Sequence, residues 1–122
     1  MIVDALNGQQ GRRELLAKLL RQGNALICCT INIGEVYTGM RPHEEQATAE
    51  FLGSLGYRKV TWPIAQRAGR LRYDWARKGQ TLSLADATIA AVVLAYGLTL
   101  MTDNVKHFPM PELQMFSVPE SS

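Results

Sequence analysis

The stretch Ser83-Leu-Ala-Asp86-Ala-Thr-Ile-Ala-Ala-Val-Val-Leu-Ala-Tyr96-Gly97-Leu98-Thr-Leu-Met-Thr102 decides the fold class. From Ser83 to Tyr96 it is apolar on nearly every side, the mark of a helix buried all round rather than one lying on a surface. Ser83 followed three residues later by Asp86 is a capping-box start, and Gly97 is a C-terminal stop. Leu98 to Thr102 then reads as a strand that follows the helix at once. A helix running straight into a buried strand is one half of an α/β unit.

Working back toward the N-terminus, Pro63 opens a helix in which Ile64, Ala68, Leu71 and Trp75 keep core spacing until Gly79. Arg58 to Trp62 reads as a strand before it. Pro42 to Leu55 and Ile31 to Met40 read as helices, the latter with Thr30 as its N-cap. Ala25 to Cys29 is a short continuous apolar run, the form of a parallel strand covered on both faces. Arg12 to Arg21 places Leu15, Leu16, Leu19 and Leu20 on one stripe, and Gly23 ends that helix. Beyond the central stretch, Leu113 to Ser117 reads as a last strand. Alternating strands and helices predict an α/β fold, a parallel sheet with helices on both faces. The expected domain is single, residues 1–117, with 118–122 as a frayed tail.

Composition agrees with one ordinary domain. The 122 residues are 47% hydrophobic and 20% charged, which excludes a disordered or fibrous chain. A net charge of +2 does not by itself announce a nucleic-acid binder. Cys28 and Cys29 are sequence neighbours in an apolar run, which argues against a disulfide framework or a zinc site and for a reducing cytoplasm. No apolar run reaches membrane-spanning length, and no export signal opens the chain.

In such a sheet ligands gather outside the carboxyl ends of the strands, so polar residues just after strands carry most weight. Glu35 falls one helical turn after the strand ending at Cys29, in apolar surroundings, with Asn32 one turn before it on the same face. Asp86 lies in the first turn of the buried helix. Asp103 and Asn104 directly follow the strand ending at Thr102. Each has a plainer explanation: a solvated glutamate, a helix cap, a turn. Carboxylates gathered at one place repel one another unless a cation neutralises them. Oxygen donors without cysteine or paired histidines suit Mg²⁺ or Mn²⁺ rather than Zn²⁺. Such ions serve phosphodiester hydrolysis. His43 and His107 read as structural or exposed, and no nucleophile elbow, P-loop or dinucleotide fingerprint is present. Arg67, Arg70, Arg77 and Lys78 lie opposite the apolar stripe of their helix, with Asp74 at ion-pair spacing from Arg70. They form a solvated face or, as a secondary reading, contact RNA phosphates, which would make binding weaken with salt.

Three motifs in order, Thr30-Ile-Asn32-Ile-Gly-Glu35-Val-Tyr-Thr-Gly39, Leu84-Ala-Asp86-Ala-Thr-Ile-Ala-Ala91 and Leu100-Met-Thr102-Asp103-Asn104-Val-Lys-His107-Phe108, resemble a PIN domain of the VapC type over nearly the whole chain. The resemblance implies a PIN-like three-layer α/β/α sandwich around a short parallel sheet. It also implies a Mg²⁺- or Mn²⁺-dependent endoribonuclease acting on transfer RNA or ribosomal RNA, a homodimer, and inhibition by a cognate antitoxin. Glu35 and Asp86 match two metal acids of the family. Thr102 and Asn104 match its Thr-x-Asn/Asp element, with Asp103 in the variable middle place, and Asn32 matches a supporting polar position.

Family members open with an apolar strand ending Asp-Thr-Ser or Asp-Thr-Asn and carry an Ile-Val-Asp pattern a few residues later. Ile2-Val3-Asp4 matches the later pattern, so Asp4 matches the second acid. The first strand and the first metal acid are then expected to be absent. That absence gives a rival reading from another class: a non-catalytic PIN-like module that binds an antitoxin or RNA without cutting. A receiver-like signalling domain ranks last, since no pairing of a phospho-accepting aspartate with a late lysine is evident.

Overall fold

The structure, a computed structural model, describes residues 2–3, 10–102 and 104–116, with side chains from Leu15 onward. Its elements run β1 (Ile2–Val3), α1 (Gln10–Arg21), β2 (Ile27–Cys29), α2 (Thr30–Gly39), a 3₁₀ turn (Pro42–Glu44) and α3 (Glu45–Gly53). Then follow β3 (Gly56–Arg58), α4 (Trp62–Arg77), α5 (Leu84–Tyr96), β4 (Thr99–Met101), a second 3₁₀ turn (Val105–His107) and β5 (Gln114–Phe116). The five strands form one sheet in the order β3-β2-β1-β4-β5, and every pairing is parallel.

The sheet alternates its side chains between two cores, as a period of two requires. Ile27, Cys29 and Leu100 face a cluster built with Ile64 and Ala68 of α4 and the buried body of α5. Leu26, Cys28 and Met101 face the opposite cluster, with Leu16 and Leu19 of α1 and Leu52 of α3. The result is the expected three-layer sandwich, and it explains why these strands read as unbroken apolar runs. Residues 87–93 of α5 are all buried, so this helix forms the centre of one layer. Ser83 caps it through its hydroxyl, and Gly97 closes it at φ 61°, a left-handed conformation that suits glycine. Neither cysteine is in a disulfide and both are buried, and burial, with Cys29 alongside, pushes the Cys28 thiol up.

Two expectations are corrected here. The first strand is not absent. Ile2 pairs with Ile27 on one side, and Ile2 and Val3 pair with Leu100 and Met101 on the other, so β1 holds the centre of the sheet. Two residues suffice because both edges of the strand are satisfied by neighbours, a condition that no local pattern records. The strand expected at Arg58 to Trp62 lies earlier, at Gly56–Arg58. Gly56 lies close against β2, where an added Cβ would come within 3.2 Å of Ile27 Cγ1. Trp62 instead opens α4, behind Thr61 as N-cap. The tail 118–122 lies outside the described residues.

Candidate active site

The strand order locates the site. After β1 the chain builds outward through β2 and β3, then crosses back to place β4 on the other side of β1. The carboxyl ends of β1 and β4 therefore flank the switch point, where an open parallel sheet leaves a crevice. Val3 ends β1 and Met101 ends β4; Asp4 is the next residue of the chain after the first, and Thr102 after the second.

Asp86 is carried by the first turn of α5, where the helix dipole favours a carboxylate. Its backbone N–H donates to Ser83 Oγ at 3.0 Å, which is the serine half of the expected capping box. The carboxylate is turned elsewhere: Oδ2 lies 3.3 Å from Nδ1 of His107, in the 3₁₀ turn after β4. Asp86 keeps 19% of its side chain exposed and His107 57%, so the pair sits at the protein–water boundary. Two further bonds hold this region. Gln80 Nε2 donates to the Lys106 carbonyl at 3.3 Å, and Arg72 Nε donates to the Leu82 carbonyl at 2.9 Å. The loop entering α5 is thereby tied both to α4 and to the segment that follows β4.

Glu35 is exposed on α2. Asn32, expected on the same face as Glu35, is buried, only 2% exposed. Its Oδ1 accepts the Cys29 N–H at 2.8 Å, so it caps the helix that carries Glu35. Its Nδ2 is buried without a hydrogen-bond partner among the described residues. The N-cap is Cys29 rather than Thr30. Thr30 Oγ1 lies 2.8 Å from the Tyr57 hydroxyl and accepts the Val60 N–H at 3.2 Å, joining α2 to the stretch after β3. Asn32→Ala removes the acceptor of a buried N–H and is expected to destabilise the protein by about 1–3 kcal/mol. Urea unfolding measures this, and an unchanged midpoint would mean that Asn32 does not hold the start of α2.

Thr102 is buried, and its Oγ1 accepts the Asn104 N–H at 3.0 Å, while Asn104 is exposed. Asp103 and Asp4 lie outside the described residues. Among the described residues, no three His, Cys, Asp or Glu side chains gather as a metal cluster. The candidates that can be placed, Glu35, Asp86 and Asn104, offer oxygen donors, and that chemistry fits a hard divalent cation. Arg67, Arg70, Arg77 and Lys78 are all exposed on or just beyond α4. His107 is the residue that sequence reasoning passed over. Its contact with Asp86 spans 21 residues, and its only signal in the sequence is its place shortly after a strand.

No helix among the described residues is long and apolar enough to cross a membrane. Comparison with known proteins gives a consistent result. The family described as PIN domain matches residues 1–109. Ribonuclease VapC19 of Mycobacterium tuberculosis is 33% identical over 113 residues, which cover 92% of this chain and 90% of that protein. Ribonuclease VapC10 of the same organism is 31% identical over 112 residues, covering 92% and 84% respectively. Among solved structures, a toxin-antitoxin complex from Klebsiella pneumoniae superposes with a TM-score of 0.75 at 24% identity, covering 95% of each chain. VapBC2 from Rickettsia felis, bound to a DNA fragment from its promoter, superposes at 0.73 with 24% identity, over 95% of this chain and 98% of that one. With the sheet order, the family match over residues 1–109 and these relatives agreeing, the chain belongs to the PIN-domain family and to its VapC group.

Proposed function

We propose that this protein is a divalent-metal-dependent endoribonuclease, the toxin of a toxin–antitoxin pair, active in the cytoplasm on structured RNA such as transfer RNA or ribosomal RNA. A cognate antitoxin and a second copy of the chain are its expected protein partners. The observation that carries this reading is Asp86, a carboxylate held at a helix start beside the switch point of the sheet. Glu35 and Asp86, with Asp103 or Asn104, would hold Mg²⁺ or Mn²⁺. Asp4 joins them as the acid of the central strand rather than as a later one, because β1 is the strand it follows. A divalent cation bound there lowers the pKa of water and polarises a phosphoryl oxygen. The protein's part is to present the carboxylates. His107 Nδ1 lies 3.3 Å from one oxygen of Asp86, so that with a proton on Nδ1 it would steady this carboxylate, a support that ligating carboxylates commonly receive. Thr102 holds Asn104 just after β4 by accepting its backbone N–H.

The rival reading, a module that binds without cutting, drew its support from a missing first strand. It drew on a missing first metal acid as well; β1 at the centre of the sheet supplies the strand, and Asp4, next after it in sequence, is the acid we assign to that place. The test is metal removal: protein stripped with EDTA is expected to leave a transfer RNA substrate intact, and Mn²⁺ or Mg²⁺ to restore endonucleolytic products. Intact RNA after metal is restored, in protein that still unfolds cooperatively, would refute the enzyme and favour the module.

A further inference from the structure

The modest net charge of the chain conceals a strong segregation. The stretch from Gly56 to Lys78, which is β3 and α4 with their flanks, holds seven of the thirteen cationic residues and a single acid, Asp74. Its net charge is +6 in a chain whose total is +2, so the remainder carries −4. On α4 the apolar stripe of Ile64, Ala68, Leu71 and Trp75 packs into the core. The opposite ridge, at helical spacing, is Trp62, Gln66, Gly69, Tyr73 and Arg77, with Arg70 beside it. Trp62 is 80% exposed and Tyr73 62%. Both rings therefore offer a face to the solvent on the same side of the helix as Arg77.

Two cations at the C-terminal end of this helix lie against rings. The Arg77 guanidinium lies 5.5 Å from the Tyr73 ring centroid, and its Nη1 donates to the Tyr73 hydroxyl at 3.0 Å. Lys78 Nζ lies 4.4 Å from the Trp75 centroid. A ring orients a cation without cancelling its charge, so these groups keep their attraction for an anion. Arg72 is tied to the Leu82 carbonyl and stands apart from the ridge.

We infer that the outward face of α4 holds single-stranded RNA outside the cleavage site, with unpaired bases stacking on Trp62 and Tyr73 and phosphates held by Arg70 and Arg77. The inference rests on the ribonuclease reading and adds to it a binding surface. Exposed rings interleaved with cations are what sequence-tolerant single-strand binding uses. A second copy of the chain fits this face poorly, because mating two such faces would set the cations of one copy, Arg70 and Arg77 among them, against those of the other, and like charges juxtaposed are costly. Both ends of the helix also connect to the site: Val60, just ahead of α4, bonds Thr30 of the helix bearing Glu35, and Gln80, just beyond it, bonds the turn bearing His107.

The test is binding in EDTA, where the proposed chemistry cannot run. The probe is a fluorescein-labelled single-stranded oligouridylate of about twelve nucleotides, followed by anisotropy across a salt series. Trp62→Ala and Tyr73→Ala are each expected to weaken binding about 5- to 100-fold with little change in salt slope. Arg70→Gln with Arg77→Gln is expected to weaken it and to lower the slope by about 1.4, for two lost phosphate contacts. All four side chains are exposed, so circular dichroism should show unchanged folding. Wild-type affinity and slope in every variant would overturn the inference. So would unchanged RNA binding with lost self-association in sedimentation, which would make the ridge a contact between two copies. Failure of the underlying reading looks different: binding through this face with no metal-dependent cleavage refutes the nuclease and leaves the surface standing.

Discussion

Asp86→Ala and Glu35→Ala are each expected to lower metal-dependent RNA cleavage about 1,000-fold or more, a loss of about 4 kcal/mol at the barrier. For Asp86 the geometry separates this loss from unfolding. The N-cap bond of α5 runs from the Asp86 backbone N–H to Ser83 Oγ, and alanine keeps that N–H. What the fold loses is the favourable carboxylate near the helix start and its contact with His107, which together are worth about 1 kcal/mol at a boundary site. Glu35 is exposed on α2, so its removal opens no cavity. Cleavage on a gel and thermal unfolding of the same preparations check both halves. The double variant is expected to be no worse than the poorer single one, because residues that act together on one group do not contribute additively. Undiminished cleavage by either variant would identify a contaminating nuclease and end the assignment of that acid.

Much of the fold was legible because one helix announced itself. Ser83 as cap, a body without a polar face and Gly97 as stop are local signals, and the structure keeps all three. The strand after it follows within two residues, so β4 was nearly forced. The misread elements are those whose stability is not local. β3 was expected where the apolar residues are, at Val60 and Trp62, yet the sheet takes Gly56, Tyr57 and Arg58. As an edge strand it is chosen by its hydrogen bonds to β2 and by the room a glycine leaves there. Val60 packs against the core from outside the sheet, and Trp62 is left in water.

The site divides in the same way. That acids after strands matter could be reasoned from topology, and Asp86 was placed correctly on its helix. Asn32 has a structural task that spacing does not show: the start of α2 needs an acceptor for the Cys29 N–H, and Asn32 at the third helical position supplies it. Spacing alone puts Asn32 and Glu35 on one side, whereas the capping bond turns the first of them inward. The pairing of His107 with Asp86 depends on how two loops meet across the end of the sheet, for which neither segment carries a local sign.

The central strand changes what is expected of Asp4. While Ile2-Val3-Asp4 is taken for a later pattern, losing Asp4 should matter little, since a supporting acid beside the site affects orientation only. Once Ile2 is paired to β2 and Ile2 and Val3 to β4, this pair of residues becomes the central strand of the sheet, and Asp4, next in sequence, becomes the first of the proposed metal acids. Asp4→Asn is therefore expected to reduce cleavage about 100- to 1,000-fold, comparable with Asp86→Ala rather than with a peripheral substitution. The amide preserves size and leaves the backbone pairs of Ile2 and Val3 in place, so the unfolding midpoint should stay within about 0.5 kcal/mol of the parent. Metal binding gives an independent readout, because exchanging a carboxylate for an amide removes one negative charge from the set that attracts the cation and should raise the Mn²⁺ dissociation constant. Near-normal cleavage and near-normal Mn²⁺ affinity in Asp4→Asn would sink the assignment, and would return the tripeptide to a purely structural part in the middle of the sheet.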